Sequence, residues 1–380
     1  MKIGIEAQRI FRKKKHGMDI VVLELIRNLQ KIDNANEYFI FVKPDEDNQI
    51  IQETPNFKII EIPGGPYPVW EQFLLPKAAK KLGVELLHTT SNTAPIFSSI
   101  PLVLTLHDII FMEKSIPKLV FGEGTNYQKF GNVYRKLVVP QVIRRAKKVI
   151  TVSQYEFNNI SNFFHIQDKT KLSTVYNGVG ENFQPITDAR VLAEVKKKYH
   201  LPNRFFFFLG NTDPKKNTAG VIKAYSDFIK QTKADIKLVL VDFDRNHLKK
   251  ILQAIHDPQL IDHILLPGYI QNKDLPGIYS QSLLYLYPSF RESFGIPILE
   301  AMACGAPVIS SNCSSMPEVA EKAAVLIDPY NPETLTKALI DLYANQDKKN
   351  ELIALGFQQT KKFSWKKMAE NVQVIYQQLA

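Results

Sequence analysis

Leu283-Leu-Tyr-Leu-Tyr287 runs directly into Pro288-Ser-Phe-Arg-Glu-Ser-Phe-Gly-Ile-Pro-Ile-Leu-Glu-Ala-Met-Ala-Cys-Gly-Ala-Pro307. The first segment is an apolar strand. Pro297 suits the first turn of a helix and Gly305 its left-handed terminator, so Ile296 to Cys304 is one short helix that begins at Phe294-Gly295. Strand, loop and helix in that order make one unit of an α/β fold, and the flanking sequence repeats it. Phe205 to Leu209, Leu238 to Val241, Ile264 to Leu266 and Val308 to Ser310 are further strands with helices between them, and Phe205 to Leu209 is apolar enough for the buried centre of a parallel sheet.

The same alternation occupies the first half of the chain. Strands are expected at residues 2 to 6, Tyr38 to Lys43, Lys58 to Ile62, Leu86 to His88, Leu102 to Leu106 and Lys148 to Val152. Helices are expected over Ile20 to Lys31, Trp70 to Leu82 and Tyr134 to Arg145. Between the halves, Gln184-Pro185-Ile186 is a polar turn that serves as a linker. The tail from Ser364 to Leu379 is a capped helix with Trp365, Met368, Val372 and Tyr376 on its apolar face. The expected organisation is an α/β chain with two Rossmann-like parallel-sheet domains: residues 1–184, residues 185–362, and a C-terminal helix, 363–380, that crosses back to the first domain. At 380 residues the chain is too long for one ordinary core, which agrees with two.

Composition removes several function classes. With 45% hydrophobic and 23% charged residues the chain is globular, and its longest apolar runs fall far short of the roughly 18 residues of a membrane span. Met1-Lys2-Ile3-Gly4-Ile5 reads as a strand and not as a signal peptide, so a cytoplasmic location is expected. Cys304 and Cys313 are the only cysteines and have no histidine neighbours, which makes no metal site. The net charge of +10 is spread over runs such as Arg12 to Lys15 and Lys196 to Lys198 without interleaved aromatics, which argues against nucleic acid. The same charge suits peripheral contact with an anionic inner membrane leaflet. There is no G-x-G-x-x-G, no G-x-x-x-x-G-K-[ST] and no H-E-x-x-H, so dehydrogenase, P-loop kinase and zinc-protease chemistry lose their main support.

Parallel sheets bind ligands at the carboxyl ends of their strands, so two of them facing each other place a ligand in the cleft between. The helix start after Leu283–Tyr287 is an anion site: the amides of Ser293, Phe294, Gly295 and Ile296, the helix dipole and a glycine permitting close approach would together grip a diphosphate. Glu292 then lies at the mouth of the cleft, and Glu300, in the first turns, can accept hydrogen bonds from ribose hydroxyls. Spacing alone proves nothing, since Glu53 and Glu61 stand equally far apart around a plain strand. Gly210 ends the first strand of the second half, and the Lys215-Lys216-Asn217 turn brings cations to the same cleft, where they would stabilise a leaving diphosphate. His107, after an apolar strand, reads first as a structural hydrogen-bonding group. Tyr269-Ile270 after Gly268 reads equally as a frame for a base or as core.

Taken together, these residues resemble the E-x7-E signature of retaining glycosyltransferase family 4, of the GT-B fold. Trp70-Glu71-Gln72 through Leu75-Pro76, His88 to Pro95, His107-Asp108, Thr151-Val152-Ser153, Asn177-Gly178-Val179, Asp213 to Asn217 and the Trp365 tail are similar to that family over nearly the whole chain. The resemblance implies that Glu292 contacts the donor sugar, Glu300 the ribose and Lys216 with Lys215 the diphosphate, while His107 lies beside the reacting carbon. It also implies a metal-independent enzyme with no cofactor beyond its nucleotide-diphosphate sugar donor. The first domain would bind the acceptor, and a mannosyltransferase-like subgroup is the closest in general look. The expected reaction is transfer of a hexosyl unit from GDP-mannose or a UDP-sugar to a glycan or lipid-linked acceptor in surface polysaccharide synthesis. A nucleotide-sugar epimerase of the same fold and a non-catalytic nucleotide-sugar-binding protein stay open.

Two positions depart from that family. Many members have Gly-x-Gly after the first strand, where this chain reads Gly17-Met18-Asp19, so Gly17 keeps a place in the diphosphate site and Asp19 sets a carboxylate next to it. Many carry Arg after the glycine that ends the second domain's first strand, where Asn211 stands here. Asn can bond a phosphate but cannot neutralise it.

Overall fold

The computed structural model describes residues 1–113 and 126–380 of the chain. It forms two compact units, Met1–Asn177 with Trp365–Ala380, and Gly178–Ser364. The units part between Asn177 and Gly178, ahead of the expected linker at Gln184-Pro185. The reason is local: Val179 pairs with Ser364, Phe183 lies against Tyr279 with ring centroids 6.4 Å apart, and the Ile186 N–H donates to Ser280 Oγ at 3.0 Å. The chain is therefore already fastened to the second unit before the polar turn begins.

In the first unit the strands are β1 (Lys2–Glu6), β2 (Glu37–Val42), β3 (Phe57–Glu61), β4 (Leu86–Thr89), β5 (Leu102–Leu106), β6 (Lys148–Thr151) and β7 (Leu172–Thr174). They form a sheet of order β3-β2-β1-β4-β5-β6-β7, with every pairing parallel. β7 was not expected, because Leu172-Ser-Thr174 is short and half polar, as suits an edge. The helix after β1 spans Gly17–Ile32 and starts ahead of its apolar stripe, since the Asp19 carboxylate accepts the His16 N–H at 2.9 Å and closes a capping box. The C-terminal helix Trp365–Gln377 packs on it with Trp365, Met368, Val372 and Tyr376 buried, and Tyr376 OH lies 2.6 Å from His88 Nδ1. Where one helix was expected over Trp70–Leu82, a π-helical turn, Trp70–Leu74, precedes an α-helix, Leu75–Lys81.

In the second unit the strands are β8 (Phe205–Phe208), β9 (Lys237–Leu240), β10 (Ile264–Leu265), β11 (Leu284–Tyr287), β12 (Val308–Ser311) and β13 (Ala324–Ile327). They also pair in parallel, in the order β10-β9-β8-β11-β12-β13. All the phenylalanines of β8 are buried, as expected for a central strand covered on both faces, while the edge strand β13 was absent from the sequence reading. The order is that of a doubly wound dinucleotide fold, whose direction of winding reverses between its first and fourth strands. In this unit the reversal falls between β8 and β11. Among the described residues no helix is long and apolar enough to cross a membrane.

Candidate functional site

The loops that leave β8 and β11 flank the crevice that this strand order opens, and they carry most of the residues singled out in the sequence. Gly210 is required by close approach: a Cβ there would come within 2.5 Å of Leu240 and 2.7 Å of Phe208. Asn211 Oδ1 accepts the Asp213 N–H at 2.9 Å and Asp213 Oδ1 accepts the Lys215 N–H at 3.1 Å, so Asn211 is spent in part on shaping the turn. Asn217 ends it in the left-handed region, φ 58°, and its side-chain amide donates to Pro288 O at 3.2 Å and Pro329 O at 2.9 Å. The Phe290 N–H donates to Lys215 O at 2.7 Å. These bonds tie the loops after β8 and β11 to each other and to the segment after β13.

Within that frame Lys216 Nζ sits 2.7 Å from Glu292 Oε1, 3.4 Å from Tyr287 OH and 4.8 Å from the centre of the Tyr287 ring. Burial pushes the Glu292 carboxyl up, but Lys216, and Lys215 after it, more than offset this and hold it below its ordinary value. Glu292 is thus a buried carboxylate that stays ionised. Its backbone is pinned as well: the Glu292 N–H donates to Ser314 Oγ at 3.1 Å, and Ser315 Oγ lies 2.9 Å from the carbonyls of Glu292 and Phe294.

Gly295 caps the next helix at φ 107°, and Ile296–Ala303 follows with Pro297 in its first turn, as the sequence reading requires. Gly305 ends it at φ 78°. First-turn amides have no carbonyl within their own helix, so this end is electropositive. Phe294 is buried with its ring 5.7 Å from Phe363, while Ser293 and Ile296 are half-buried. Glu300, further along the helix, is also half-buried, with Oε2 3.4 Å from Tyr279 OH, and burial pushes its carboxyl up to about 7. Among the described residues, Asp213 supplies the one carboxylate within ion-pair distance of the Lys215 amine, at 4.0 Å. Tyr269 and Ile270 lie on the loop after the edge strand β10, Tyr269 exposed and Ile270 in the core.

His107 and Gly17 belong to the first unit. His107 is buried after β5, and its Nε2 lies 3.0 Å from Thr90 O, an acceptor only, so in the neutral ring Nε2 carries the proton and Nδ1 presents its lone pair. Burial lowers its pKa, which favours that neutral ring. Its backbone N–H donates to Asn92 Oδ1 at 2.6 Å, and Asn92 is itself left-handed at φ 71°. Gly17 opens its helix with nothing within 4 Å of where a Cβ would stand, so packing does not demand glycine there.

Some residues of these sites carried no assignment in the sequence reading. Asn217 and Tyr287 position Lys216, and Ser314 and Ser315 position Glu292. In the first unit a buried knot centres on Glu71, which accepts from Tyr67 OH at 2.7 Å, Thr93 Oγ1 at 2.5 Å, Tyr134 OH at 2.5 Å and Gln72 Nε2 at 2.9 Å. The unbroken polar run Thr89 to Thr93 was the available signal for the knot. Among the described residues no group of three or more His, Cys, Asp and Glu gathers as a metal site.

Two doubly wound units, the second with a lysine-paired carboxylate and a helix start at its switch point, define a GT-B glycosyltransferase architecture. Residues 16–182 match the family model described as Glycosyltransferase Family 4, and residues 193–359 match Glycosyl transferases group 1. The chain belongs to this glycosyltransferase family. It is 29% identical to O-antigen chain mannosyltransferase B of Escherichia coli over 233 residues, 61% of each protein. It is also 29% identical to the serotype-specific mannosyltransferase WbdA of Escherichia coli, over 58% of this chain and 27% of that one. The aligned stretches thus span less than two thirds of the length of these relatives. Among solved structures, Anabaena Alr3699/HepE in complex with UDP and glucose superposes with a TM-score of 0.75 at 17% identity, covering 100% of both chains. A glycosyltransferase from Rickettsia africae does so at 0.73 and 18%, covering 99% and 98%. At these identities the likeness is one of fold.

Proposed function

We propose that the chain transfers a hexosyl unit, with retention at the anomeric carbon, from a nucleotide-diphosphate sugar to a glycan or lipid-linked acceptor in surface polysaccharide synthesis. The observation that carries this reading is the Lys216–Glu292 pair at the switch point of the second sheet, next to a helix start. An ammonium has three donors. One engages Glu292 and a second is directed at Tyr287 OH, which leaves the third for a phosphate oxygen, and Lys215 adds a second cation for the charge that develops on the leaving diphosphate. The ionised Glu292 accepts from a hydroxyl of the donor sugar and favours positive charge at the anomeric carbon. Glu300 accepts from the ribose. The amides of Ser293 to Ile296 receive the diphosphate together with Asn211 and Gly17, and Tyr269 with Ile270 frames the base. The bond from the anomeric carbon to the phosphate oxygen breaks, the bond to the acceptor oxygen forms on the same face, and the acceptor's proton leaves with the phosphate. His107, neutral and with Nδ1 as acceptor, is assigned to a sugar hydroxyl beside the reacting carbon.

The names of the Escherichia coli relatives favour a mannosyl donor, hence GDP-mannose, and the Anabaena complex keeps a UDP-sugar as the other candidate. The lysine pair supports transfer without a metal, and a lipid-linked acceptor favours a cytoplasmic protein that touches the inner membrane leaflet. A thermal-shift series with GDP-, UDP- and ADP-sugars tests the reading. A donor at about 100 times its Kd adds about 2.7 kcal/mol to stability, a plain rise in Tm. Failure of every nucleotide sugar to raise Tm, or a product of inverted configuration, overturns it.

A further inference from the structure

The loop after β10, residues 266–274, carries Tyr269 and Ile270, and its far end is held by a different segment of the second unit. Asp274 closes a short helical turn, Asn272–Asp274, and leads straight into the helix Leu275–Gln281. Tyr199, just past the end of the helix Ala189–Lys198, is buried with its hydroxyl between two points of the loop. It donates to Asp274 Oδ2 at 2.6 Å and accepts the Gln271 N–H at 3.2 Å. Lys198 adds a second tie, with Nζ 2.6 Å from the same Asp274 oxygen and 3.2 Å from Gln271 Oε1. Burial pushes the Asp274 carboxyl up, but the bonds from Lys198 and Tyr199 more than offset this, so it stays an ionised acceptor. Gln271 is held through both its backbone and its side chain, one residue after Ile270.

The same anchor reaches the ribose side. The helix that begins at Leu275 packs on Ala189–Lys198, where Gln281 Nε2 donates to Leu192 O at 3.3 Å. It carries Tyr279, whose hydroxyl lies 3.4 Å from Glu300 Oε2. One short stretch, Gln271 to Gln281, therefore joins the residues assigned to the base to the tyrosine beside the residue assigned to the ribose, and Tyr199 anchors its start. The Lys216–Glu292 pair has its fastenings on other segments, at Asn217, Tyr287, Ser314 and Ser315.

We propose that Tyr199 is a positioning residue for the nucleoside half of the donor: by fixing Gln271 and Asp274 it sets how tightly the base is held and how well one base is told from another. The transfer step itself is left to the Lys216–Glu292 pair. This rests on the sugar-transfer reading, in which Tyr269 and Ile270 frame the base. A frame built on a loop discriminates only while its edges stay in place, because a loop that shifts lets a different base find partners. Titration calorimetry of the full chain with GDP, UDP, ADP and inorganic pyrophosphate, on wild type and Tyr199→Phe, tests it. Phenylalanine keeps the ring and removes both bonds of the hydroxyl. The Kd of the nucleotide that binds best should rise about tenfold, and its margin over the next nucleotide should narrow by about fivefold. Pyrophosphate meets only the diphosphate site, so its Kd should stay within about twofold. In donor turnover, followed as release of the nucleoside diphosphate, KM should rise in step while kcat holds within about twofold. Lys198→Gln, a change at a more exposed side chain, should act in the same direction by about threefold. A Tyr199 that serves only to pack its helix would give a lower Tm with affinities and margin unchanged, which overturns the proposal. So does a loss of nucleotide and pyrophosphate affinity in equal proportion, or a fall in kcat at constant KM. Where Tyr199→Phe does not fold, an unchanged nucleotide Kd in Lys198→Gln overturns it. A wild-type chain that binds one nucleotide selectively but yields a product of inverted configuration would strike the sugar-transfer reading alone.

Discussion

Glu292 and Glu71 are both buried, each at the carboxyl-end side of a doubly wound sheet, and they are held in opposite ways. Glu292 has Lys216 at 2.7 Å and sits below its ordinary pKa. Glu71 is surrounded by hydroxyls and an amide, and burial, which those bonds offset only in part, raises its pKa. The two sheets share the strand order of their first six members. Topology therefore chooses where a crevice opens, and the counter-charge at each crevice decides what the carboxyl there can do. Beside a cation it keeps a charge for chemistry. Among neutral donors it becomes a clamp that holds a π-turn, the Thr93 loop and the helix of Tyr134 together.

The strongest way to break that contrast is to remove the charge of Glu292. Glu292→Gln keeps shape and an acceptor oxygen for Lys216, so unfolding in urea should shift little. Turnover is expected to fall on the order of a thousandfold, about 4 kcal/mol of transition-state stabilisation. Initial rates on the true donor check it, and undiminished turnover would remove Glu292 from the chemistry. The reverse pattern is expected for Glu71→Ala. Four donors lose a shared acceptor at once, and Gln72 Nε2 and Tyr67 OH keep their second contacts to Ala94 O and Thr93 Oγ1, which should cost about 3 kcal/mol of stability, read as a lower urea midpoint at unchanged m-value. A Glu71→Ala protein as stable as wild type would mean that the knot is not a clamp.

What could be read from the chain follows from how local each feature is. The alternation of strand and helix gave both parallel sheets, and Pro297, Gly295 and Gly305 marked the helix at the second site because backbone chemistry at single residues decides such ends. β7 was illegible because Leu172–Thr174 is short and half polar, and β13, Ala324–Ile327, went unread although its residues are apolar. The linker was misplaced because the turn at Pro185 is a stronger local signal than the pairing of Val179 with Ser364. The Lys216–Glu292 contact joins residues 76 apart, and the Glu71–Tyr134 bond joins residues 63 apart. Neither can be seen in a pattern of neighbours. The family resemblance supplied roles for Lys216 and Glu292 without saying that they touch, and the positions of Asn217, Tyr287, Ser314 and Ser315 around them came only with the fold.

Glu300 sharpens the contrast at a smaller scale, since it sits near the charged site but has no cation of its own. Its carboxyl, pushed up to about 7 from 4.5, binds a proton in the folded chain over a range of pH in which the unfolded chain has lost it. Its contribution to stability is therefore fully present below about 4.5 and is lost as pH rises through about 7. Glu300→Gln should flatten that part of the profile. Donor binding should run the other way, because only the carboxylate accepts from both ribose hydroxyls. About a tenth of the free protein is competent at pH 6, so the apparent Kd for nucleotide should tighten about tenfold between pH 6 and pH 8 and then level off. Calorimetric titrations across that range on wild type and Glu300→Gln check both halves. A Kd that is independent of pH in the wild type would mean that the ribose is bound elsewhere, or that Glu300 meets it as a protonated donor, in which case affinity would weaken as pH rises.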